Sequence, residues 1–242
     1  MTFENIMVAA AGGILPALVW LLFWIREDRK HPEPVRLLAL AFFVGMLVVI
    51  PTLKLETIIY TEIGNETTRL IWWSVTEELM KFLAAYFIIL RRKEVDEPID
   101  YVVYMVAIAL GFAALENTFF IFKPLADGLT ATNAQTGILT GSVRFIGATL
   151  LHIVSSASIG TAMALSFYKS RGIKRQYLVL GLFLAALLHT AFNVAIMIDG
   201  GNNTLVASCV VWIAVICLLL MLEKVKKVHP VRDRSLETTV TL

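Results

Sequence analysis

The sequence predicts an all-α fold, a polytopic bundle of about seven transmembrane helices. Of its 242 residues, 58% are apolar and only 17% are charged, which leaves too little polar surface to cover a water-soluble globule. The apolar residues are also grouped in blocks of membrane-spanning length. A net charge of +2 gives no indication of nucleic-acid binding, so the lipid bilayer is the expected environment.

Seven apolar blocks are each long enough to cross about 30 Å of hydrocarbon at about 1.5 Å per residue. They lie at about residues 6–25, 35–53, 68–90, 99–122, 137–168, 174–198 and 204–222. The fifth block is long and fits either one tilted helix or two pieces, the first of them interfacial. We expect a single transmembrane domain over residues 1–228, followed by a polar cytoplasmic tail over residues 229–242.

Basic residues follow alternate blocks and set the expected topology. They occur in the loop at 26–34, then at Arg91, Arg92 and Lys93, then at Lys169, Arg171, Lys174 and Arg175, then at Lys224, Lys226 and Lys227. Because cytoplasmic loops are enriched in Lys and Arg, we expect the N-terminus outside and the C-terminus in the cytoplasm. The N-terminus lacks a basic n-region, so the first block is expected to be a retained span.

Four consecutive blocks carry ionisable side chains within their apolar stretches. They are Glu77, Glu78 and Lys81 in the third block, Glu116 in the fourth, Arg144 and His152 in the fifth, and His189 in the sixth. A charged group in hydrocarbon costs at least about 2.5–3.5 kcal/mol, so such groups are functional candidates. Counted from the cytoplasmic ends of the blocks, the acids and histidines lie at one depth in the outer half of the membrane. We therefore expect them to meet.

The residue types indicate metal chemistry at this level. Two imidazoles and a carboxylate are a familiar ligand set for catalytic zinc, and a further carboxylate can activate the attacking water. Glu77 and Glu78 point about 100° apart on a helix, and the sequence does not decide which of them faces the site. Asn193, one turn from His189, could hold an oxyanion, whereas Arg144 could either grip a substrate carbonyl or pair with a carboxylate.

Each motif also has a structural interpretation. The Glu77, Glu78 and Lys81 group could be a buried charge network, and His189 with Asn193 could join two helices by hydrogen bonds. The main functional alternative is a proton- or metal-ion-coupled transporter. Transport favours polar residues strung through the whole membrane thickness, whereas here they cluster at one level, which favours an enzyme.

In their order along the chain, these motifs resemble the PrsW-type family of intramembrane metalloproteases, which is distantly related to the CAAX prenyl-protein membrane proteases. The matching residues are Asp28 with Pro-Glu-Pro at 32–34, Glu77-Glu78-x-x-Lys81, Gly-Phe-Ala-x-x-Glu-Asn at 111–117, Arg144, His152 with Ser156 and Gly160, and His189 to Asn193. The resemblance extends from the first cytoplasmic loop to the sixth block.

The resemblance implies a multi-pass protease of a prokaryotic inner membrane that cleaves a single-span membrane protein, with an anti-sigma factor as the best-known type of substrate. It also implies that Glu77, Glu78 and His189 are essential and that Glu116 and His152 complete the site.

Our hypothesis from the sequence is an intramembrane endopeptidase in which Glu77 or Glu78 activates water. In this hypothesis zinc is held by Glu116, His152 and His189, and the oxyanion is stabilised by Asn193 and Arg144. A metal-independent, glutamate-type protease related to the CAAX enzymes is an alternative. A third interpretation is an inactive membrane adaptor. The sequence disfavours it, because every residue that the chemistry needs is present.

Overall fold

The structure, a computed structural model, describes residues 3–26, 32–126, 130–197 and 204–229. Within these ranges the chain forms α-helices and no β-strand, so the predicted all-α class is confirmed. Asp28 of the first loop and the tail from residue 230 onward lie outside the described residues.

In the described ranges, eight helices correspond to the seven predicted apolar blocks. They are α1 (Phe3–Ile25), α2 (Val35–Glu62), α3 (Glu66–Ile88), α4 (Pro98–Leu125), α5 (Ala131–Ile146), α6 (Ala148–Leu165), α7 (Arg171–Met197) and α8 (Thr204–Val225). The fifth block forms two pieces, because α5 ends and α6 begins on either side of Gly147. Arg144 and His152 therefore lie on separate helices.

The second helix is longer than its apolar block. α2 continues to Glu62, although the sequence predicted its end at about residue 53. The charged residues Lys54 and Glu56 interrupt the apolar run, but Lys54 is exposed, whereas Thr52 and Glu56 continue the inward face of the helix. The additional turns of α2 can therefore position side chains near α3.

The fourth helix is the centre of the bundle, and 89% of its most apolar 18-residue stretch is buried. It packs against α1, α2 and α6. A Cβ atom at Gly111 would overlap the carbonyl oxygen of Phe42 on α2, and one at Gly160 of α6 would overlap the backbone of α4 at Tyr101. Glycine at these two crossings lets the helix axes approach closely and brings α2, α4 and α6 together.

Six of the described helices are long and apolar enough to cross a membrane, namely α1, α2, α4, α6, α7 and α8. The chain is accordingly a multi-pass membrane protein. α3 has sufficient length at 23 residues but carries Glu66, Arg69, Glu77, Glu78 and Lys81. Its charged residues at positions 77, 78 and 81 are buried against other helices, chiefly α2, α4 and α7. A seventh crossing by α3 stays a prediction.

Candidate active site

Four helices bring acidic, basic and histidine side chains into one buried cluster, which we call the polar centre. Its members are Glu77, Glu78 and Lys81 of α3, Glu116 of α4, His152 of α6 and His189 of α7. His152 lies four residues after the start of α6, and His189 lies eight residues before the end of α7. The cluster is thus nearer to the end of the bundle at which α6 begins and α4 and α7 end.

Glu78 is fully engaged by its neighbours. Its Oε1 accepts hydrogen bonds from Lys81 Nζ at 2.7 Å and from His189 Nδ1 at 2.8 Å. Its Oε2 accepts a hydrogen bond from Ser156 Oγ at 2.7 Å. Because the carboxylate holds the proton of His189 on Nδ1, the Nε2 atom of the neutral ring is left with an open lone pair. Glu78 therefore orients His189 and has little capacity left for another role.

Glu116 contacts His152 in the same way that Glu78 contacts His189. Lys81 has only donors, so His152 Nδ1, at 2.9 Å from Lys81 Nζ, is the acceptor. The neutral ring then carries its proton on Nε2, which donates to Glu116 Oε2 at 2.9 Å. Arg144 Nη2 donates to the same oxygen at 2.5 Å. A carboxylate bonded to the far nitrogen of a histidine is the arrangement that orients metal-binding imidazoles.

Glu77 differs from the other two carboxylates in having a fully buried oxygen without a hydrogen bond. Glu77 Oε2 is buried and has no hydrogen-bond partner among the described residues. It lies 3.8 Å from His152 Nδ1 and 3.8 Å from His189 Nε2, the two nitrogens that carry the lone pairs. A buried oxygen of this kind is costly unless it binds something, so it marks the point at which a ligand is expected.

The geometry of these three residues fits a metal ion. One ligand atom each from Glu77, His152 and His189 lies within 4.8 Å of the other two. Ligand atoms bound to tetrahedral zinc at about 2.0–2.2 Å lie about 3.3–3.6 Å apart, so a small inward movement would suffice. Two imidazoles and a carboxylate also leave a fourth coordination position open.

Lys81 interacts with the lone pair that such an ion would use on His152. The Lys81 side chain is completely buried, and its ammonium group also lies 4.4 Å from the centre of the Phe112 ring. The Nδ1 atom of His152 has a single lone pair, so Lys81 and a metal ion compete for it. Binding of an ion by His152 requires Lys81 to release Nδ1, while its hydrogen bond to Glu78 can persist.

The two side chains predicted to hold an oxyanion lie beside the polar centre. Arg144 pairs with Glu116, and its Nε donates to Asn117 Oδ1 at 2.5 Å. Of the two interpretations given for Arg144, the structure thus shows the pairing with a carboxylate. Asn193 Nδ2 donates to Ser74 Oγ of α3 at 3.2 Å, which places the amide one turn along α7 from His189.

Sequence reasoning missed Glu56. The sequence suggested a residue of an outer loop, but the extended α2 places it on the inward face of the helix, where it is partly buried. The available signal was helical spacing, because Thr52 and Glu56 follow Val48 at intervals of four and lie on the inward face. A helix predicted to end at residue 53 conceals that spacing.

A family profile described as "PrsW family intramembrane metalloprotease" matches residues 33–221, most of the chain and all four helices of the polar centre. The chain belongs to this family. It is therefore an intramembrane protease, and membership of the PrsW family removes the support for a transporter. The resemblance inferred from the ordered motifs is confirmed.

Bacterial relatives agree with the family match. "Protease PrsW" of Clostridioides difficile is 28% identical over 196 residues, which cover 77% of this chain and 78% of the relative. The protein of the same name from Geobacillus kaustophilus is 25% identical over 189 residues, covering 76% and 77% of the two chains. A third, from Shouchella clausii, is 25% identical over 218 residues, covering 88% and 94%. No solved structure matches the chain at a significant level.

Proposed function

We propose that this PrsW-family member is a zinc-dependent endopeptidase that cleaves a membrane-tethered protein, with Glu77, His152 and His189 as the metal ligands. The observation that carries the proposal is the convergence of two imidazole lone pairs and one buried carboxylate oxygen that has no hydrogen bond, all within 4.8 Å. Glu77 thus replaces Glu116 in the ligand set suggested by the sequence, because Glu116 lies on the far side of the His152 ring.

The remaining residues of the polar centre orient these ligands. When bound, the zinc ion would polarise the scissile carbonyl and lower the pKa of the attacking water. Glu78 holds His189 and Glu116 holds His152, each through the ring nitrogen that faces away from Glu77. Arg144 fixes Glu116, and Asn193 stays the proposed oxyanion donor, since Ser74 uses only one of its two N–H groups.

We further propose that the protein crosses a bacterial inner membrane seven times, with its N-terminus outside. The basic loops support this topology, and it places the polar centre in the outer half of the membrane. The substrate would be a single-span protein, such as an anti-sigma-factor-like regulator, cut first near its extracytoplasmic end. Mass spectrometry of the cleavage products tests this location, and a first cut at the cytoplasmic end would contradict it.

The first experiment is metal analysis by mass spectrometry on detergent-purified protein, together with cleavage of a single-span reporter. We expect about one zinc per wild-type chain and its loss in His152→Ala and His189→Ala. His229→Ala, which removes a histidine outside the polar centre, is the matched control and should keep its zinc. Absence of metal from active wild-type protein would overturn the zinc proposal.

One observation favours a second candidate, a metal-independent glutamate-type protease. The Lys81 ammonium already binds both Glu78 and His152, so the polar centre has a cation without any metal. In this case Glu77 would be the general base, because Glu78 is fully engaged. Full cleavage activity after exhaustive chelation would favour this mechanism over the zinc proposal.

A further inference from the structure

An apolar groove runs between α7 and α8, with α6 as its floor. α8 packs mainly against α6 and less against α7, which leaves this space open. The wider part of the groove is a cavity of about 490 Å³, lined on α7 from Tyr177 to Leu188. A narrower part of about 90 Å³ continues it. The two parts share four lining residues, namely Val154, Leu188, Val210 and Ala214.

The wider part of the groove offers hydrocarbon to an occupant. Most of the side chains that line it are aliphatic, such as Leu165, Leu184 and Ile213. Ser158, a polar exception, donates its hydroxyl proton to the carbonyl oxygen of Val154 within α6 at 2.8 Å. A cavity of this size that opens to the bilayer is expected to be filled, because an empty one loses the van der Waals contacts of its lining.

The wider part of the groove has the length of one leaflet. At about 1.5 Å per residue, the stretch of α7 from Tyr177 to Leu188 is about 16 Å long, and half of the hydrocarbon core is about 15 Å thick. A transmembrane helix crosses both leaflets and needs a groove of similar width throughout, whereas this groove narrows from about 490 to about 90 Å³ beyond Leu188. An acyl chain ends near the middle of the bilayer and fits this shape.

Two lysines lie at the wide end of the groove. Lys174 precedes Tyr177 by one helical turn on α7, and Lys224 follows Met221 by one turn on α8, so each lysine continues the lining face of its helix. Lys174 Nζ also lies 5.6 Å from the centre of the Phe167 ring, which follows the end of α6. The ammonium group of Lys174 is thus held close to the floor of the groove.

The charges of these two lysines are available to a ligand. Both side chains are exposed, and within the described ranges neither forms an ion pair. Lys226 provides a contrast on the same helix end. It lies on nearly the opposite face of α8 from Lys224, and its ammonium group pairs with Glu223 at 2.8 Å. A cationic end and a hydrocarbon interior together match a lipid that has an anionic headgroup.

We propose that this groove binds one acyl chain of an anionic phospholipid, whose phosphate lies between Lys174 and Lys224. In the predicted topology this end of the bundle faces the cytoplasm, and basic residues near helix ends attract anionic lipids on that side. The lipid site is separate from the polar centre and does not rest on the proposed zinc function. A bound chain fills the space between α7 and α8 and so supports α7, the helix that carries His189.

The first test is native mass spectrometry of detergent-purified protein titrated with phosphatidylglycerol or with phosphatidylcholine of the same acyl chains. Wild type should retain one phosphatidylglycerol per chain and bind phosphatidylcholine about 10-fold more weakly. The double variant Lys174→Gln/Lys224→Gln should weaken phosphatidylglycerol binding about 10- to 30-fold and leave phosphatidylcholine binding unchanged. Lys226→Gln, which removes a paired lysine from the same helix end, is the matched control and should bind both lipids as wild type.

A second pair of variants tests the acyl chain. Cys209 and Cys217 are both exposed on α8, but of the two only Cys217 lines the groove. Cys217→Trp places an indole in the groove and should weaken the binding of both lipids, whereas Cys209→Trp should bind as wild type. Thermal unfolding of the lipid-free variants identifies a general loss of structure. The lysine variants change exposed side chains and keep the test decisive if Cys217→Trp does not fold.

The other outcomes would overturn the proposal. Equal affinity of wild type for the two lipids would do so, and so would equal losses in Lys226→Gln and the double variant, or wild-type binding in Cys217→Trp. A dimer that Cys217→Trp dissociates would assign the groove to a second copy of the chain. Loss of reporter cleavage in Cys217→Trp with unchanged lipid binding would assign it to the substrate.

Discussion

Carboxyl groups lie inside the bundle near both ends of α4, buried at Asp100 and partly buried at Glu116, with different surroundings. Near its start, Asp100 accepts hydrogen bonds from the backbone N–H groups of Asp96 and Glu97 at 2.8 and 2.7 Å. Glu33, which precedes α2, interacts electrostatically with Asp100 and accepts a hydrogen bond from the Tyr104 hydroxyl. We call these residues the α4 start cluster. Near the other end of α4, Glu116 belongs to the polar centre.

This difference distinguishes carboxyl groups that stabilise the fold from carboxyl groups that indicate a catalytic or metal-binding site. In the α4 start cluster, Asp100 caps the first turn of a helix, and a phenol and a second carboxyl group complete the connection to α2. In the polar centre, carboxylates meet two imidazoles, and one buried oxygen has no hydrogen bond. Burial is common to both regions, but only the polar centre presents open lone pairs from several residue types at one point.

The largest effect is expected from Glu77→Gln. The change keeps the shape of the side chain but removes the charge that faces both histidines, so cleavage of a single-span reporter should fall by on the order of 10²–10⁴-fold. Zinc content should fall with it, because an amide is a poor ligand for zinc. A variant that retains zinc but is inactive would make Glu77 the general base instead.

A large effect on stability is expected from Lys81→Met, which removes a buried charge at nearly constant volume. Glu78 would lose its ion pair, and metal-free protein should be destabilised by about 3–5 kcal/mol. Zinc should bind more tightly than in wild type, because the competitor for His152 Nδ1 is absent. Thermal unfolding with and without zinc measures both effects. Weaker zinc binding in this variant would show that Lys81 assists the ion.

A smaller effect is expected from Glu116→Gln. The amide oxygen can still accept a hydrogen bond from His152 Nε2 or Arg144, but the charge is lost, and zinc affinity should fall about 10- to 100-fold. Chelator competition measures the change. Complete loss of zinc, equal to that of His152→Ala, would restore Glu116 to the ligand set suggested by the sequence.

The smallest effect is expected in the α4 start cluster. Asp100→Ala removes the acceptor for two backbone N–H groups and should lower the free energy of unfolding by about 0.5–2 kcal/mol. Cleavage per folded molecule should stay at the wild-type level, and Asp100→Asn should be milder. If cleavage falls while stability does not, the contrast between the two regions is wrong.

The sequence predicted those candidate site residues that can be recognised within a single helix, from the free-energy cost of a charged group in hydrocarbon. Charged groups inside apolar blocks are expensive, so Glu116, His152 and His189 stood out without any structure. The proposed choice of Glu77 over Glu78 needed contacts across helices, because Ser156 and His189 bind Glu78.

Two features of the fold could not be predicted from the sequence. Glu56 follows the apolar part of α2, so its single charge suggested a loop rather than an inward-facing residue. The separation of Arg144 from His152 depends on a break at Gly147, and apolar composition continues across that break. Both features depend on packing between helices that single-sequence patterns do not contain.

The charged character of α3 also has a consequence for how the protein is made. A helix with two glutamates and a lysine near its middle enters hydrocarbon poorly by itself, so α3 depends on partners that are synthesised after it. Glu78 meets Ser156 of α6 and then His189 of α7, which emerges from the ribosome more than one hundred residues later. The polar centre is therefore assembled only when most of the chain has been translated, and a truncated product of interrupted synthesis lacks part of it.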